Sequence, residues 1–383
     1  MVTIKDKARC SGCSACYSVC PHGAITMKPD KLGFRYPEVD LEKCTGCGLC
    51  DNVCAFTAKL SYTMPVRSLA IRNKDMECLM ESRSGGVFPA LADYVISKGG
   101  TVYGATFDDE FMVVHNRAEA SDNIHSFRGS KYVQSDMGDV FKLVRKDLNE
   151  GRYVLFSGTP CQIDGLRSFV PEKLRERLVL VDIVCHGVPS PYVWRDYLKY
   201  QKKIHRGKIQ EVFFRDKKTY GWAAHKESYR IDNVLYSDTS FTHLFYRHIM
   251  LRPSCGVCPY SSVKRTSDVT LADFWGWQKA VPNFNDDDRG VSLVLINTPK
   301  GDEIINGCSA SLDMREVEIE NCMQPNLRQP SVLDKDSRRF ADDFADKGIE
   351  YVLKRYGNKG WRYMVYTLYM NVKRRLKKWL RKK

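Results

Sequence analysis

Apolar residues along this chain recur at two spacings, and glycine, proline, serine or threonine marks each change between them. From position 84 the string SGGVFPALADYVISKGG predicts a helix from Val87 to Lys98, capped by Ser84 and ended by Gly99–Gly100. The runs TVYGATF and FMVVHN predict strands. Tyr153 to Phe156 predicts a buried strand and Ser157–Gly158 a turn. Thr159 then caps a helix with Pro160 in its first turn, where the missing N–H costs nothing. LVLVDIV predicts a strand through Val184, followed by Cys185-His186-Gly187 and a helix begun by Ser190 and Pro191. Repeated strand–loop–helix units predict a parallel α/β sheet, in which ligands gather at the carboxyl ends of strands; Cys161 and Cys185 both fall there. Nearer the N-terminus, AITM and YPEVD read as two short strands of a small module.

Charge changes the picture at one end. The formal net charge is +14, yet the segment from Tyr351 to Lys383 holds twelve Lys or Arg and no Asp or Glu; without it the charge falls to +2. Basicity is therefore a property of the tail, and a nucleic-acid-binding body is excluded. Within the tail, Trp361, Met364, Val365, Leu368, Val372, Leu376, Trp379 and Leu380 form one helical stripe. A basic amphipathic helix of this kind suits peripheral contact with an anionic membrane. Packing on the body or binding an acidic protein partner remain alternatives. The opening MVTIKDKARC has no secretory pattern and no apolar run is long enough to span a bilayer. The expected location is cytoplasmic, with peripheral attachment at the inner membrane face as the option raised by the tail.

The cysteines carry the chemistry. Cys10, Cys13, Cys16 and Cys20 follow C-x2-C-x2-C-x3-C, and Cys44, Cys47, Cys50 and Cys54 repeat it. This is the bacterial ferredoxin spacing. Three thiolates of each run hold one [4Fe–4S] cube, and the fourth crosses to the other cube. One cube then takes Cys10, Cys13, Cys16 and Cys54, and the second Cys44, Cys47, Cys50 and Cys20. Gly12, Gly46 and Gly48 permit the turns this requires. Structural zinc usually uses two CxxC pairs separated by a longer loop, and a disulfide scaffold suits small secreted domains; neither matches. Farther on, Cys255 and Cys258 form half a metal site, and Cys161 with Cys185 would complete a third cube. A nucleophilic cysteine paired with His186 is the rival use, and His186 as a core histidine the simplest one. Cys78, Cys308 and Cys322 read as small apolar side chains. Arg215, Lys217 and Lys218, in FFRDKKTYGW, are candidates for holding an anion or are exposed hairpin charges. Tyr220 and Trp222 are candidates for stacking on a planar ring, with packing beside Gly221 as the alternative.

The strings SGGVFPALADY, RGSKYVQS, SGTPCQIDGLR, DIVCHGVPS, FRDKKTYGW, CGVCPY and DVTLADFWG, in this order, resemble the coenzyme F420 hydrogenase/dehydrogenase beta subunit family over most of residues 80–300. The resemblance implies a non-covalent FAD beside a [4Fe–4S] cluster, with Cys161, Cys185, Cys255 and Cys258 as its ligands. It also implies flavin contacts from Ser84, Gly85, Gly86, Lys131, Thr159, Pro160, Gln162 and His186, the last also as the catalytic residue. One departure is visible: Ala272 stands where the family's GDFWG has its first glycine, leaving less room for close backbone approach.

The resulting expectation is an α/β flavin-binding body with a small α+β ferredoxin-like N-terminal domain and a C-terminal basic helix. The ferredoxin-like domain spans 1–62, the FAD and iron–sulfur body 63–340, and the tail 341–383. Electrons would pass between [4Fe–4S] clusters and FAD, then to or from a small two-electron substrate, coenzyme F420 or another. A redox partner protein or ferredoxin would stand at the other end. The alternative is an electron-transfer subunit with no substrate of its own.

Overall fold

The computed structural model describes residues 1–383 except Met1, Lys5, residues 57–61, 285–286, 362, 364, 366–368 and 371–383. The tail stripe from Met364 onward, Val365 apart, therefore lies outside the described residues; Trp361 and Val365 are exposed. No described helix is long and apolar enough to cross a membrane.

The chain begins with an antiparallel hairpin, β1 (Ile25–Pro29) and β2 (Arg35–Val39), flanked by the short helices Ala15–Val19 and Leu49–Asn52. Next come β3 (Arg67–Asn73), the helix Val87–Ser97, β4 (Thr101–Phe107), β5 (Val113–Ala118), the helix Val140–Asn149 and β6 (Val154–Gly158). The helix Pro160–Phe169, β7 (Leu178–Ile183) and the helix Pro191–His205 follow. A three-stranded antiparallel meander comprises β8 (Ile209–Phe213), β9 (Glu227–Ile231) and β10 (Val234–Asp238). The chain then returns through β11 (Val269–Asp273), β12 (Ser292–Ile296), the helix Pro299–Gly307 and β13 (Leu312–Glu316), and closes with the helix Ser337–Arg355.

Eight strands form one sheet in the order β13-β3-β12-β11-β7-β6-β4-β5. Only β4, β6, β7 and β11 run parallel; β5, β12, β3 and β13 are antiparallel to their neighbours. The sheet is thus mixed, not parallel as expected. At one edge the physical reason is length: β4 and β5 are joined by residues 108–112 alone, too few for the crossover that a parallel pair needs. Alternation along the central strands buries both faces. Leu155, Val179 and Val181 face the layer containing Val87, Leu91 and Ile304. Val154, Phe156, Leu178 and Leu180 face Phe141, Ile163 and Leu166.

Two local expectations are corrected. Ser84 does not cap its helix: Gly86 occupies that position at φ 76°, and the Ser84 hydroxyl donates to the Val291 carbonyl at 2.7 Å. Gly85 serves packing, since a Cβ there would lie 2.1 Å from the Ile71 carbonyl oxygen. Likewise Ser157 and Gly158 are the last residues of β6, and the helix starts immediately after Thr159.

The N-terminal module is docked by its hairpin tip. Phe34 is fully buried in an aromatic core with Trp194, Tyr197 and Phe241, which also receives Phe340 and Phe344 of the last helix. The Leu32 carbonyl accepts from the Ser190 hydroxyl at 2.6 Å and the Tyr192 N–H at 3.2 Å. A Cβ at Gly33 would meet the Tyr192 ring at 2.6 Å, so glycine is what lets the tip reach the helix Pro191–His205.

Candidate functional site

The two N-terminal cysteine runs are not grouped run by run. Cys44, Cys47 and Cys50 share one cavity, of about 370 Å³, with Cys20 from the other run. Gly46 and Gly48 hold φ values of 72° and 75°, which wind the backbone so that three successive thiols face one centre. The Val2 N–H donates to Cys50 Sγ at 3.3 Å and the Ala24 N–H to Cys20 Sγ at 3.4 Å. Cys47 is exposed, so this set sits at the surface.

Cys10, Cys13, Cys16 and Cys54 form an inner set. Burial pushes the Cys13 thiol up to about 12, opposed by the Ala15 N–H and reinforced by Cys10, Cys161 and Cys54. Cys16 is raised in the same way, by burial and then by Cys13, Cys10 and Cys54. Cys13 thus faces both its own set and Cys161 of the body. A Cβ at Gly165, in the middle of the helix Pro160–Phe169, would stand 2.7 Å from Cys13 Sγ.

The third set comes from three separate places in the sequence. β6 and β7 are parallel neighbours, so their carboxyl ends lie side by side. Cys161 occupies the first turn of the helix after β6, and Cys185 the loop after β7. Cys255 and Cys258 come from the turn at Pro253–Val257 and its end. All four line one cavity of about 470 Å³, together with Ser11 and Phe56 of the N-terminal module and Pro160, His186, Arg252 and Tyr260 of the body. Burial raises Cys161 to about 11 and Cys255 to about 12, with the Arg252 charge pulling both down, and it raises Cys185 as well. Hydrogen bonds reach three of the sulfurs: Gly187 N–H to Cys185 and Val188 N–H to Cys255, both at 3.4 Å, and the Thr159 hydroxyl against Cys161 at 3.3 Å. Thiols held this high are protonated at pH 7, so loading metal must release their protons.

Zinc, at about 2.3 Å from each sulfur, would require the thiols to close on a single point. Among the described residues no three His, Cys, Asp or Glu side chains do so. The thiols of the surface set and of the third set instead line cavities.

The structure sets the other sequence-predicted residues around these sets, mostly as frame. Thr159 and Gln162 form a reciprocal capping box, and Gln162 Nε2 also donates to Ser135 Oγ at 2.9 Å. Lys131 Nζ donates to the carbonyls of Ser126 at 2.7 Å and Arg128 at 2.9 Å, and burial lowers it to about 7. His186 Nε2 lies 2.6 Å from His248 Nε2; burial first, and His248 second, lower His186 to about 4, leaving it neutral at pH 7.

Sequence reasoning missed several neighbours. The Arg83 side chain is only 8% exposed, and its Nε and Nη1 have no hydrogen-bond partner; Nη2 donates to the Trp222 carbonyl at 2.7 Å. Arg215 pairs with Asp273 at 2.7 Å, and Arg83 reaches the same carboxylate at 3.5 Å. Two guanidinium groups thus share one acid. Above them Trp222 and Trp275 stack at 4.4 Å and 9°, His225 stacks on Trp275, and Tyr246 joins His225 to His186. Arg215 and Trp222, both candidates from the sequence, meet here. Lys217 instead is buried, donating to the carbonyls of Leu79, Ser84 and Arg289, and Lys218 pairs with Glu81. Arg83 abuts the SGG string, the one sequence signal that points to it.

Two family models match the chain. Residues 9–58 match the 4Fe-4S dicluster domain, and residues 151–321 match the C terminus of the coenzyme F420 hydrogenase/dehydrogenase beta subunit. A chain of the F420-reducing [NiFe] hydrogenase complex from Methanosarcina barkeri is similar at 21% identity and a TM-score of 0.48, over 78% of this chain and 96% of that one. No curated protein matches.

Proposed function

We propose that this chain, whose residues 151–321 match the C terminus of the coenzyme F420 hydrogenase/dehydrogenase beta subunit, is an iron–sulfur electron-transfer subunit. It passes single electrons between a redox partner protein and an FAD, which exchanges them with a two-electron carrier such as coenzyme F420. One observation carries this reading: Cys161, Cys185, Cys255 and Cys258, from three places in the sequence, line one cavity, and Cys13 of the N-terminal module faces Cys161.

A bound flavin would supply the exchange between one-electron and two-electron chemistry. The chain's own contribution is to bind and orient. Ser84, Gly85, Thr159 and Gln162 already spend their polar groups on neighbouring backbone or side chains. We therefore place them as the frame, and give the contact with anionic and planar groups to Arg83, Arg215 and Trp275. Arg83 has N–H donors to offer, and Trp275 an exposed face. His186 lines the third cavity and touches Tyr246 of the aromatic platform, so it stands between the thiols and that platform. We assign it as the residue holding a proton there, shared with His248.

Anaerobic titration of the reduced protein with FAD and with coenzyme F420, followed by absorbance, tests the proposal. The expected result is binding of one flavin per chain and reduction of the carrier, with R83M weakening binding at least tenfold while iron content stays constant. Protein that binds neither, yet exchanges electrons with a ferredoxin, would make the chain an electron-transfer subunit without a substrate.

A further inference from the structure

Arg252 is fully buried and among the largest side chains with essentially no exposure. It makes no ion pair among the described residues. Its donors end on neutral oxygens: the Cys10 carbonyl at 2.7 Å, the Arg35 carbonyl at 2.9 Å and Gln134 Oε1 at 2.9 Å. Its other contacts are aromatic faces, Tyr36 at 4.3 Å and Phe34 at 5.5 Å, and the Cys10 sulfur, 3.6 Å from Nη2. A buried guanidinium cannot shed its proton, and burying it without a counter-charge is costly. Carbonyl oxygens and rings reduce that cost without cancelling the charge.

The position of the side chain indicates where the missing anion lies. Arg252 stands in the turn that delivers Cys255, three residues on, and it lines the cavity of the third set. Its far end reaches Cys10 of the inner set. Gly12 is shaped around it, since a Cβ there would lie 2.7 Å from Nη1. Among the described residues its contacts reach two of the three sets, the inner and the third.

We propose that Arg252 is the shared counter-charge of the inner and third clusters, raising the reduction potential of both and holding the N-terminal module at electron-transfer distance from the body. The proposal rests on the iron–sulfur reading above. Four thiolates around a cubane core carry net negative charge, and reduction adds another electron. A fixed cation beside the cube favours the reduced form, as does an N–H aimed at a ligand sulfur. Arg252 supplies both effects to the inner cube, and its charge acts on the third. It is a positioning residue in this scheme; no atom of it takes part in a reaction.

The test is redox titration followed by electron paramagnetic resonance on anaerobically reconstituted wild type, R252Q and R252K. In R252Q the inner and third clusters are expected to fall in potential while the surface cluster, held by Cys20, Cys44, Cys47 and Cys50, stays in place. In R252K, which keeps the charge but loses the planar fork and its N–H to Cys10, the third potential stays near wild type and the inner one falls by less than in R252Q. Unchanged potentials in a fully loaded R252Q, or an equal shift of all three clusters, would overturn the proposal. Should R252Q fail to retain iron, loading of R252K at wild-type level supports the charge argument, and equal failure of both variants overturns it. Wild-type protein that takes up no iron would instead remove the iron–sulfur reading itself.

Discussion

Gly165→Ala sets two physical effects against each other with opposite signs. Gly165 lies inside the helix Pro160–Phe169, where glycine costs about 1 kcal/mol relative to alanine. Propensity alone therefore predicts that G165A stabilises the protein by that amount. The new Cβ, however, would stand 2.7 Å from Cys13 Sγ, 3.0 Å from Cys13 Cβ and 3.5 Å from Ala15 Cβ. The first two contacts are well inside ordinary van der Waals separation, and a cysteine bound to a cube cannot swing aside. Overpacking of this kind costs typically about 1–3 kcal/mol. The balance is a net loss of up to about 2 kcal/mol, focused on the contact between the N-terminal module and the body. Anaerobic thermal melting should show a lower midpoint for G165A, and the spin–spin interaction between the inner and third clusters should weaken as they are forced apart. A raised midpoint with unchanged spin coupling would refute the close approach of Cys13 to this helix.

Other consequences can be checked separately. Glu227 is fully buried, and burial raises it from 4.5 to about 7. The folded state keeps a proton that the unfolded chain releases, so stability should fall as pH rises from about 4.5 to about 7, by roughly 3 kcal/mol in all. E227Q should flatten that dependence in melts at pH 5 and 7.5, and an unaltered slope would assign it to another group. Cys308 and Cys322 donate to the carbonyls of Ala90 and Glu318, away from all three sets. C308S and C322S should therefore retain full iron content, and loss of iron in either would mean that the thiol sets are drawn wrongly.

Much of the arrangement was legible from short-range pattern. Thr159-Pro160 and Ser190-Pro191 start helices where capping chemistry says they should, and those starts carry Cys161 and the loop of Cys185 to adjacent strand ends. The grouping of Cys20 with the second run follows from the 2-2-3 spacing. What stayed hidden is long-range. β12 pairs with β3 across more than two hundred residues, placing Ser292 opposite Ile71, and no local periodicity encodes that. The same pairing packs Gly85 against the Ile71 carbonyl and Ser292. Arg252 and Arg83 escaped notice because an arginine beside a motif looks like any surface charge. Only burial, and the lack of a carboxylate at Arg252 or of partners for two Arg83 nitrogens, distinguishes them. The Arg215 string, read as a hairpin, instead leaves β8 for a short helix at Lys217–Tyr220, which sends Lys217 inward.

The central claim is that three thiol sets each hold a cube. Iron and acid-labile sulfide, quantified together on protein purified and reconstituted without oxygen, test it most directly. Three cubes predict about twelve irons and twelve sulfides per chain, falling by about four of each when Cys258 is replaced by alanine. A chain that holds zinc without sulfide, or one whose iron does not exceed about eight and is unaffected by C258A, would contradict it.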